Sequence, residues 1–456
     1  MDGPRATGVA IALALLLALS PVAALPTTDA STGTAGAPSD APPARTGTPT
    51  ADAGPPASAA ATSPPVTERN GTTAYLSLPS SDVTTSTVAV VRLDVGATMA
   101  MDDATLRGRY ARLRLVEAFE AAETAAERRA TIARSHERLD ERIATLERRE
   151  RQALARYNRG SIGPQTYLRE LAAVDAGADA LAPAVQQLYQ YTQSVDDSSV
   201  DAAAVAELKA RLVGLQGPVR EQAKRAMRGD EDTERVFVST SASGVVLSTI
   251  VGEEFDRQFV REAYLPDQRA AGAPDQFFRD DQYQLEAAQD RARALYPWAF
   301  DNQLAFSVGS RTGAPFLYLA GVYSVTVDHR QGTARNGDLI TYIDGGTADV
   351  FREVQYLSVD EVPTSGPRVN TSDGLLLQVN RTYAGGPLEI QVRDNESNDP
   401  VAATVTLDGE RVGRTGPDGR LWTVTPRDPF VVNATARDTT VSVPITFPSD
   451  PFASQS

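Results

Sequence analysis

The alternation of hydrophobic and polar positions changes along the chain and divides it into segments. Val9 to Leu19 form an apolar run, and residues 26–65 consist almost wholly of Ala, Thr, Pro, Ser, Gly and Asp. Apolar residues then recur with a helical period, and from Glu234 onward they recur with a period of two. The pattern predicts a leader, a spacer, a helical region and β-rich modules, in that order.

The apolar run has the length of a signal-peptide core, which needs about 7–15 residues, whereas a membrane span needs about 20. Small residues follow at Val22-Ala23-Ala24. We therefore predict a signal peptide at 1–24 and a disordered Thr/Pro/Ala/Ser-rich spacer at 25–69. Retention of the run as an N-terminal anchor is the alternative. Both predict an extracytoplasmic protein, secreted or at the cell surface, that contacts the membrane only if the signal segment is retained.

Alternating residues predict a short β element at 70–101, and a helical coiled-coil region follows at 102–230. Its seam runs through Ile132, His136, Leu139, Ile143, Leu146, Glu150, Ala153 and Tyr157. Steps of 4 and 3 residues are those of a coiled coil, in which the polar members His136 and Glu150 are weak. A break at Gly160 to Pro164 precedes a second amphipathic helix. We predict an antiparallel hairpin that packs within the chain; self-association through the first helix is the alternative.

From Glu234 the period of two predicts an α+β domain of hairpins with one covering helix, at 231–368. Turns at Ser243-Gly244 and at Asp344 to Thr347 join the strands of two hairpins. Between them lie a charged segment, Glu253 to Arg269, and the covering helix, Asp275 to Leu295. A strand is also predicted from Phe316 to Val327, with a turn beginning at Arg330.

Short strands at close spacing predict an Ig-like β-sandwich and polar tail at 369–456. The segment Val405 to Gly419, with its Asp408-Gly409 turn, resembles the Ig-like modules of the carboxypeptidase-regulatory or transthyretin-like kind. That resemblance implies a non-catalytic adhesive or spacer module. The fold class predicted for the whole chain is multidomain α+β.

Two further resemblances are weaker in sequence detail. The order Tyr342-Ile343-Asp344, Gly-Thr, Val350 to Glu353 resembles PepSY-type domains, small extracytoplasmic modules found beside secreted peptidases and in envelope proteins. The whole layout, with the joint Leu215 to Arg220 and the segment Tyr296 to Phe300, resembles secreted multidomain proteins of unknown function from halophilic archaea. The latter resemblance implies a location but no activity.

Composition supports the halophilic interpretation. Lys and Arg total 44, Asp and Glu total 59, the net charge is −15, and the only lysines are Lys209 and Lys224. An acidic excess keeps a surface solvated, and molar salt screens its self-repulsion within about 3 Å. Because arginines alternate with glutamates, we expect no nucleic-acid partner.

The sequence nominates no catalytic, cofactor-binding or metal-binding residue. There is no cysteine, and the two histidines are far apart. We interpret His136 as a packing residue of the seam and His329 as a solvated turn residue; an Asp328–His329 pair for acid–base chemistry is the alternative. Candidate N-glycosylation sites occur at Asn70, Asn370, Asn380, Asn395 and Asn433.

The functional hypothesis is a non-enzymatic secreted or cell-surface protein of a halophile that binds or scaffolds at the cell envelope. Its partners would be an envelope protein or glycan, or a second copy bound through the coiled coil. A peptidase-associated regulatory or inhibitory module is one alternative. A hydrolase acting through carboxylates and His329 is another.

Overall fold

The structure is a computed structural model that describes residues 66–446 apart from 232, 253–256, 281, 309–320 and 332–334. The predicted signal peptide, most of the spacer and the end of the polar tail lie outside the described residues. So does the first part of the strand predicted from Phe316. Among the described residues, no helix is both long enough and apolar enough to cross a bilayer.

Five consecutive helices form an N-terminal helical layer: α1 Val95–Glu120, α2 Ala125–Asn158, α3 Pro164–Gln193, α4 Ala202–Leu215 and α5 Pro218–Arg228. The helical region begins at Val95, before the predicted start at residue 102, and it is interrupted between α1 and α2. Thr124 ends the interruption: its side chain accepts a hydrogen bond from Glu127 N, and the Glu127 carboxylate accepts one from Thr124 N. This capping box starts a new helix.

The predicted antiparallel hairpin is confirmed as α2 and α3. Along the seam of α2, Ile132, Leu139 and Ile143 are buried in one cluster with Val174, Leu181 and other apolar residues of α3. At the hairpin's closed end the rings of Tyr157 and Tyr167 stack with centroids 4.7 Å apart. The seam is therefore occupied by the chain's own next helix.

The centre of the molecule is an eight-stranded antiparallel sheet in the order β3-β4-β5-β6-β12-β11-β10-β9. Its strands are β3 Thr85–Val91, β4 Glu234–Thr240, β5 Val245–Val251, β6 Gln258–Tyr264, β9 Gln303–Val308, β10 Val322–Gln331, β11 Arg335–Asp344 and β12 Val350–Ser358. The hairpins predicted at Ser243-Gly244 and at Asp344 to Thr347 are confirmed as β4–β5 and β11–β12.

Strand β6 lies at the middle of this sheet, inside the segment Glu253 to Arg269 that the sequence marks only as charged. It pairs with β5 on one side and with β12 on the other. Both of its charged residues, Arg261 and Glu262, are buried. A strand that carries adjacent charges into the core has no alternating apolar pattern, which explains why periodicity does not reveal it.

Each face of the sheet has its own cover. The helical layer packs on one face, where Val236, Leu247 and Val260 share a cluster with α1, α3 and α5. The other face is covered by three elements of the chain: the β1–β2 ribbon (Val66–Thr67 and Tyr75–Leu76), α6 Leu285–Leu295 and α7 Pro297–Asp301. The first described strand, β1 at Val66–Thr67, thus lies inside the predicted spacer.

The covering helix is shorter than predicted. Two short strands, β7 Phe278–Arg279 and β8 Gln282–Tyr283, pair in a small ribbon, so the helix begins at Leu285 and not at Asp275. Asp275 accepts a hydrogen bond from the backbone N–H of Phe277, and Asp280 has a φ of 53°. Both features favour turns over helix.

The predicted C-terminal β-sandwich is confirmed, with two four-stranded sheets ordered β13-β14-β15-β18 and β17-β16-β19-β20. The strands are β13 Ser365–Ser372, β14 Leu375–Arg381, β15 Pro387–Asp394, β16 Thr404–Leu407, β17 Glu410–Arg414, β18 Arg420–Val424, β19 Phe430–Ala436 and β20 Thr439–Ile445. Their inward residues form one separate apolar core.

The sandwich is docked on the central sheet through its β14–β15 connection. Tyr383 stacks on Tyr75 at 4.6 Å between ring centroids and meets Phe259 edge-on. Gly385 has a φ of +78°, and a Cβ there would lie 2.6 Å from the ring of Phe237. Only glycine therefore lets the connection approach the sheet this closely.

A buried ion triad ties the helical layer to the sheet. Arg220 of α5 is 1% exposed and contacts Glu150 of α2 at 2.7 Å and Glu262 of β6 at 3.1 Å. The guanidinium also donates to the carbonyl oxygen of Leu215, while Glu262 accepts from Val219 N at the start of α5. Glu150 is a weak member of an apolar seam because it is the partner of this arginine.

Replacing Arg220 with alanine should be strongly destabilising, because it leaves Glu150 and Glu262 buried without their cation. Loss of one partner from a buried ion pair costs about 3–5 kcal/mol of unfolding free energy. Urea unfolding in molar KCl measures the change. Arg225→Ala is the matched control: its side chain is 53% exposed beside Glu221 and Glu231, and it should cost less than about 1 kcal/mol. Equal losses for the two variants would contradict the triad's role.

Candidate ligand-binding cleft

A cleft of about 580 Å³ lies between the helical layer and the far half of the sheet. We call it the helix–sheet cleft. Its helical wall comes from α3, the α4–α5 joint and α5, and its sheet wall comes from β10, β11 and β12. The polar and charged residues of its lining include Asp175, Asp179, Glu221, Ser324, Thr326 and Arg352.

The helical wall is acidic and surrounds one lysine. Lys224 Nζ lies 2.5 Å from Asp175, 2.6 Å from Asp179 and 2.5 Å from Glu221. Helical spacing creates this arrangement, since Asp175 and Asp179 are four residues apart on α3 and Glu221 and Lys224 are three apart on α5. The three carboxylates lie close enough together to hold a metal ion. In this fold the ammonium group of Lys224 is the cation that they surround.

The charges of this cluster shift the protonation of its members. Burial, together with the nearby charge of Asp179, raises the pKa of Asp175 to about 7 despite the opposing effect of Lys224. Burial disfavours the charged lysine, but its three carboxylates outweigh burial and hold the pKa of Lys224 above its ordinary value. Asp175 is therefore a carboxylate that takes up a proton near neutral pH.

Close backbone packing at the α4–α5 joint shapes this wall. Gly217 N donates to Asp175 Oδ1 at 2.8 Å, and a Cβ on Gly217 would lie 1.9 Å from Glu262 Oε2. A side chain here would push the joint away from the sheet. Gly217 therefore allows Asp175, which faces the cleft, and Glu262, which belongs to the ion triad, to contact the same short segment.

The sheet wall contains polar side chains because of the pleat. On β10, Tyr323 and Val325 face the α6 side, so Ser324 and Thr326 face the cleft, and both are 3% exposed. A register shift between β11 and β12 at Tyr342–Ile343 marks a β-bulge. Bulges redirect side chains and are frequent beside functional sites.

Arg352 faces the cleft on the same side of β12 as Val354 and Tyr356. It is 5% exposed, and its guanidinium lies 5.5 Å from the ring centroid of Tyr342. Its one described hydrogen bond, to the carbonyl oxygen of Gly214, is long at 3.4 Å. Within the described ranges, no carboxylate lies within ion-pair distance of Arg352, and its Nε makes no hydrogen bond. The cleft thus combines a shielded guanidinium with an acidic wall.

A second surface feature lies on α1, away from the cleft. Six large apolar side chains at or near the exposed side of this helix are between 56% and 69% exposed: Leu93, Val95, Met99, Leu106, Tyr110 and Leu113. The opposite side of α1 contains the buried residues Ala97, Met101, Gly108 and Leu115. We call the exposed set the α1 stripe. Contiguous exposed apolar residues of this kind mark interaction surfaces.

The interpretation of His329 as a solvated turn residue is wrong. Strand β10 continues through Gln331, so His329 lies within the strand; it is 0% exposed, and its ring meets Trp298 edge-on at 5.4 Å. His136 lies half-buried on α2, where the seam places it. The two histidines are on different elements, and neither lines the cleft.

The candidate glycosylation sites differ in exposure. Asn70, Asn370 and Asn395 are exposed. Asn380 is buried, and its side-chain nitrogen donates to Glu389 at 2.7 Å. Asn433 is half-buried on β19, and its side-chain nitrogen donates to Thr406 at 3.3 Å.

Sequence reasoning misses the cleft residues. The sequence gives one signal for Lys224. It is one of only two lysines in the chain, and it follows Glu221 by three residues, a helical spacing. Arg352 gives no such signal, because its surroundings come from neighbouring strands and from a helical joint far away in the sequence.

Comparison with known families accounts for the three parts of the chain. A domain of unknown function, DUF7096, matches residues 5–232, which is half of the 456 residues. A family of unknown function, DUF7094, matches residues 236–363, and an archaeal fibronectin-III type-like domain matches residues 366–443. No curated protein and no solved structure matches the chain.

These matches identify an archaeal protein with a C-terminal Ig-like module. The sequence predicts both of these features. The module is of the archaeal fibronectin-III type. The narrower resemblances to transthyretin-like and PepSY-type modules find no support among these matches and stay predictions. The two families of unknown function bring no activity to the cleft.

The acidic wall should give stability a characteristic pH dependence. Because the folded-state pKa of Asp175 lies above its ordinary value, its contribution to stability is present at low pH and is lost as pH rises toward about 7. Relative to Asp175→Asn, the natural protein should therefore lose unfolding free energy between about pH 4 and about pH 7. Urea unfolding at constant salt measures both curves.

Asp290→Asn is the control for this series, because Asp290 is exposed beside Arg293. Its curve should run parallel to that of the natural protein. If the curve of Asp175→Asn also ran parallel to that of the natural protein, Asp175 would not be the group that takes up a proton between about pH 4 and about pH 7.

Proposed function

The chain belongs to the DUF7096 family, whose domain has no assigned function, and we propose that it is a non-enzymatic protein of the cell exterior. In this proposal it scaffolds or binds at the envelope of a halophile. The observation that carries this proposal is the α1 stripe, an apolar surface that the rest of the described chain leaves uncovered. The signal-like apolar run and the acidic composition support the location.

The occupant we propose for the α1 stripe is a second copy of the same stripe. Met99, Leu106 and Leu113 follow one another at steps of seven residues, the spacing of a helix–helix seam. The seam of α2, which the sequence offers for self-association, is already buried against α3. Association between copies would therefore use α1.

Charge complementarity favours an antiparallel arrangement. Acidic Asp102 and Asp103 precede Leu106, and a basic group follows it: Arg107, Arg109, Arg112 and Arg114. With a two-fold axis at Leu106, Asp103 of one copy faces Arg109 of the other, and Met99 faces Leu113. A parallel pair would instead place like charges opposite each other.

The other modules fit this role. The fibronectin-III-type sandwich is docked on the sheet at the face opposite the helical layer, so α1 and the sandwich project from different sides of one body. An adhesive or spacer role for the sandwich, as the transthyretin-like resemblance implies, belongs to this proposal. The hydrolase alternative, through carboxylates and His329, has less support, since His329 is buried and does not line the cleft.

The test of self-association is sedimentation equilibrium of the full chain in molar KCl over a range of concentrations. We expect a monomer–dimer equilibrium for the natural protein. Leu106→Glu places two like charges at the proposed axis, so it should yield a monomer, while its exposed position leaves folding intact.

Val369→Glu is the matched control, because Val369 is a 51% exposed apolar residue of the sandwich. It should dimerise as the natural protein does. A monomeric natural protein, including one whose α1 stripe is covered by Val9 to Leu25 of its own chain, would overturn the proposal. A dimer that tolerates Leu106→Glu would also overturn it.

Export predicts a specific glycosylation pattern in the native host. The exposed sites Asn70 and Asn395 should bear glycans, whereas Asn380 should not, because its amide nitrogen is buried against Glu389. Peptide mass spectrometry of the purified protein measures the occupancy of each site. Unmodified Asn70 and Asn395, or a glycan on Asn380, would contradict the prediction.

A further inference from the structure

Among the described residues, Arg352 has no carboxylate within ion-pair distance, unlike Arg220, Lys224 and Arg261. Arg220 contacts Glu150 and Glu262, Lys224 has three carboxylates, and Arg261 pairs with Glu353 at 2.8 Å. Arg352 is as buried as they are, yet in the described part of the chain it has only the long bond to Gly214. A buried charge without a counterion is costly, and such charges are retained chiefly at functional sites.

A second unsatisfied polar group lies in the same cleft. Thr326 is 3% exposed, and its hydroxyl makes no hydrogen bond with any residue that the structure describes. Thr326 on β10 and Arg352 on β12 line one wall, together with the half-buried Tyr342 of β11. Strand β11 lies between β10 and β12, so the hydroxyl of Thr326 and the guanidinium of Arg352 line the wall on either side of that strand. Both groups are donors suited to an anion, and a guanidinium matches a carboxylate in a bidentate manner.

The opposite wall would repel a simple anion. Lys224 and the exposed Arg225, 4.0 Å from Glu221, together balance only part of the charge of the three carboxylates. Asp179 and Glu221 keep 47% and 50% of their side chains exposed. A ligand that offers an ammonium group to these two acids and a carboxylate to Arg352 satisfies both walls. The volume of about 580 Å³ is in the range of small-molecule sites.

We infer that the helix–sheet cleft binds a small zwitterion of amino-acid or dipeptide size, with its carboxylate on Arg352 and Thr326 and its ammonium group facing Asp179 and Glu221. This cleft is separate from the α1 stripe. A failure to bind the zwitterion and a failure to dimerise are therefore distinguishable results.

Isothermal titration calorimetry of the full chain in molar KCl tests the inference with three probes. They are the dipeptide L-Ala-L-Ala, its N-acetyl form, which lacks the ammonium group, and its C-terminal amide, which lacks the carboxylate. We expect the free dipeptide to bind and each blocked form to bind at least tenfold more weakly. No binding of the free dipeptide at millimolar concentration, or equal affinity for all three probes, would overturn the inference.

Variants assign each end of the ligand. Arg352→Gln should weaken the free dipeptide at least tenfold and remove the preference for a free carboxylate. Glu221→Gln should instead reduce the preference for a free ammonium group. Arg411→Gln, at an exposed position of the sandwich, is the control and should bind as the natural protein does. Unchanged binding by Arg352→Gln would refute the assignment.

Stability separates a ligand-binding arginine from a structural one. Removing an unpaired buried charge relieves its desolvation, so Arg352→Gln should unfold at the same temperature as the natural protein or a higher one. Arg261→Gln, which strands Glu353, should unfold several degrees lower. A loss for Arg352→Gln as large as that for Arg261→Gln would show that Arg352 serves the fold and not a ligand.

Discussion

The guanidinium of Arg220 lies between carboxylates from two different layers, and the position of the helices on the sheet follows from this contact. Glu150 approaches from α2 and Glu262 from β6, and α5 begins on the Glu262 carboxylate through Val219 N. An acidic group at a helix N-terminus is stabilised by the helix dipole as well as by the hydrogen bond. The triad therefore fixes the start of α5, the rotation of α2 and the central strand together.

The helix–sheet cleft is a consequence of that geometry. Once α5 begins against β6, Gly217 must pass close to Glu262, and its N–H reaches Asp175. One turn later α5 presents Lys224 to the carboxylates of α3. Across the cleft Arg352 of β12 faces the same space. On the other face of the sheet, Arg261 and Glu353 hold the β1–β2 segment, where Glu353 accepts from Leu76 N and Tyr296.

Features governed by local periodicity could be predicted from the sequence, and features governed by distant charge partners could not. The α2 seam, the β4–β5 turn and the sandwich strands follow from spacing and turn residues. Glu150 looks like a flaw in the seam, and Arg261 and Glu262 look like surface charges, because their partners lie far away in the sequence. His329 looks like a turn residue because the length of a strand is not set by its turn signals alone. The same limit hides the cleft, whose walls meet only in the folded chain.

Native-state hydrogen exchange of the full chain in molar KCl tests most directly whether the triad joins the helical layer to the sheet. The amide of Val219, which donates to Glu262, should exchange at the same opening free energy as the paired amides of β6. That result is expected if α5 and β6 open as one cooperative unit. Exchange at Val219 and along α5 that is orders of magnitude faster than in β6 would show that the helices detach while the sheet remains folded, and would contradict the account.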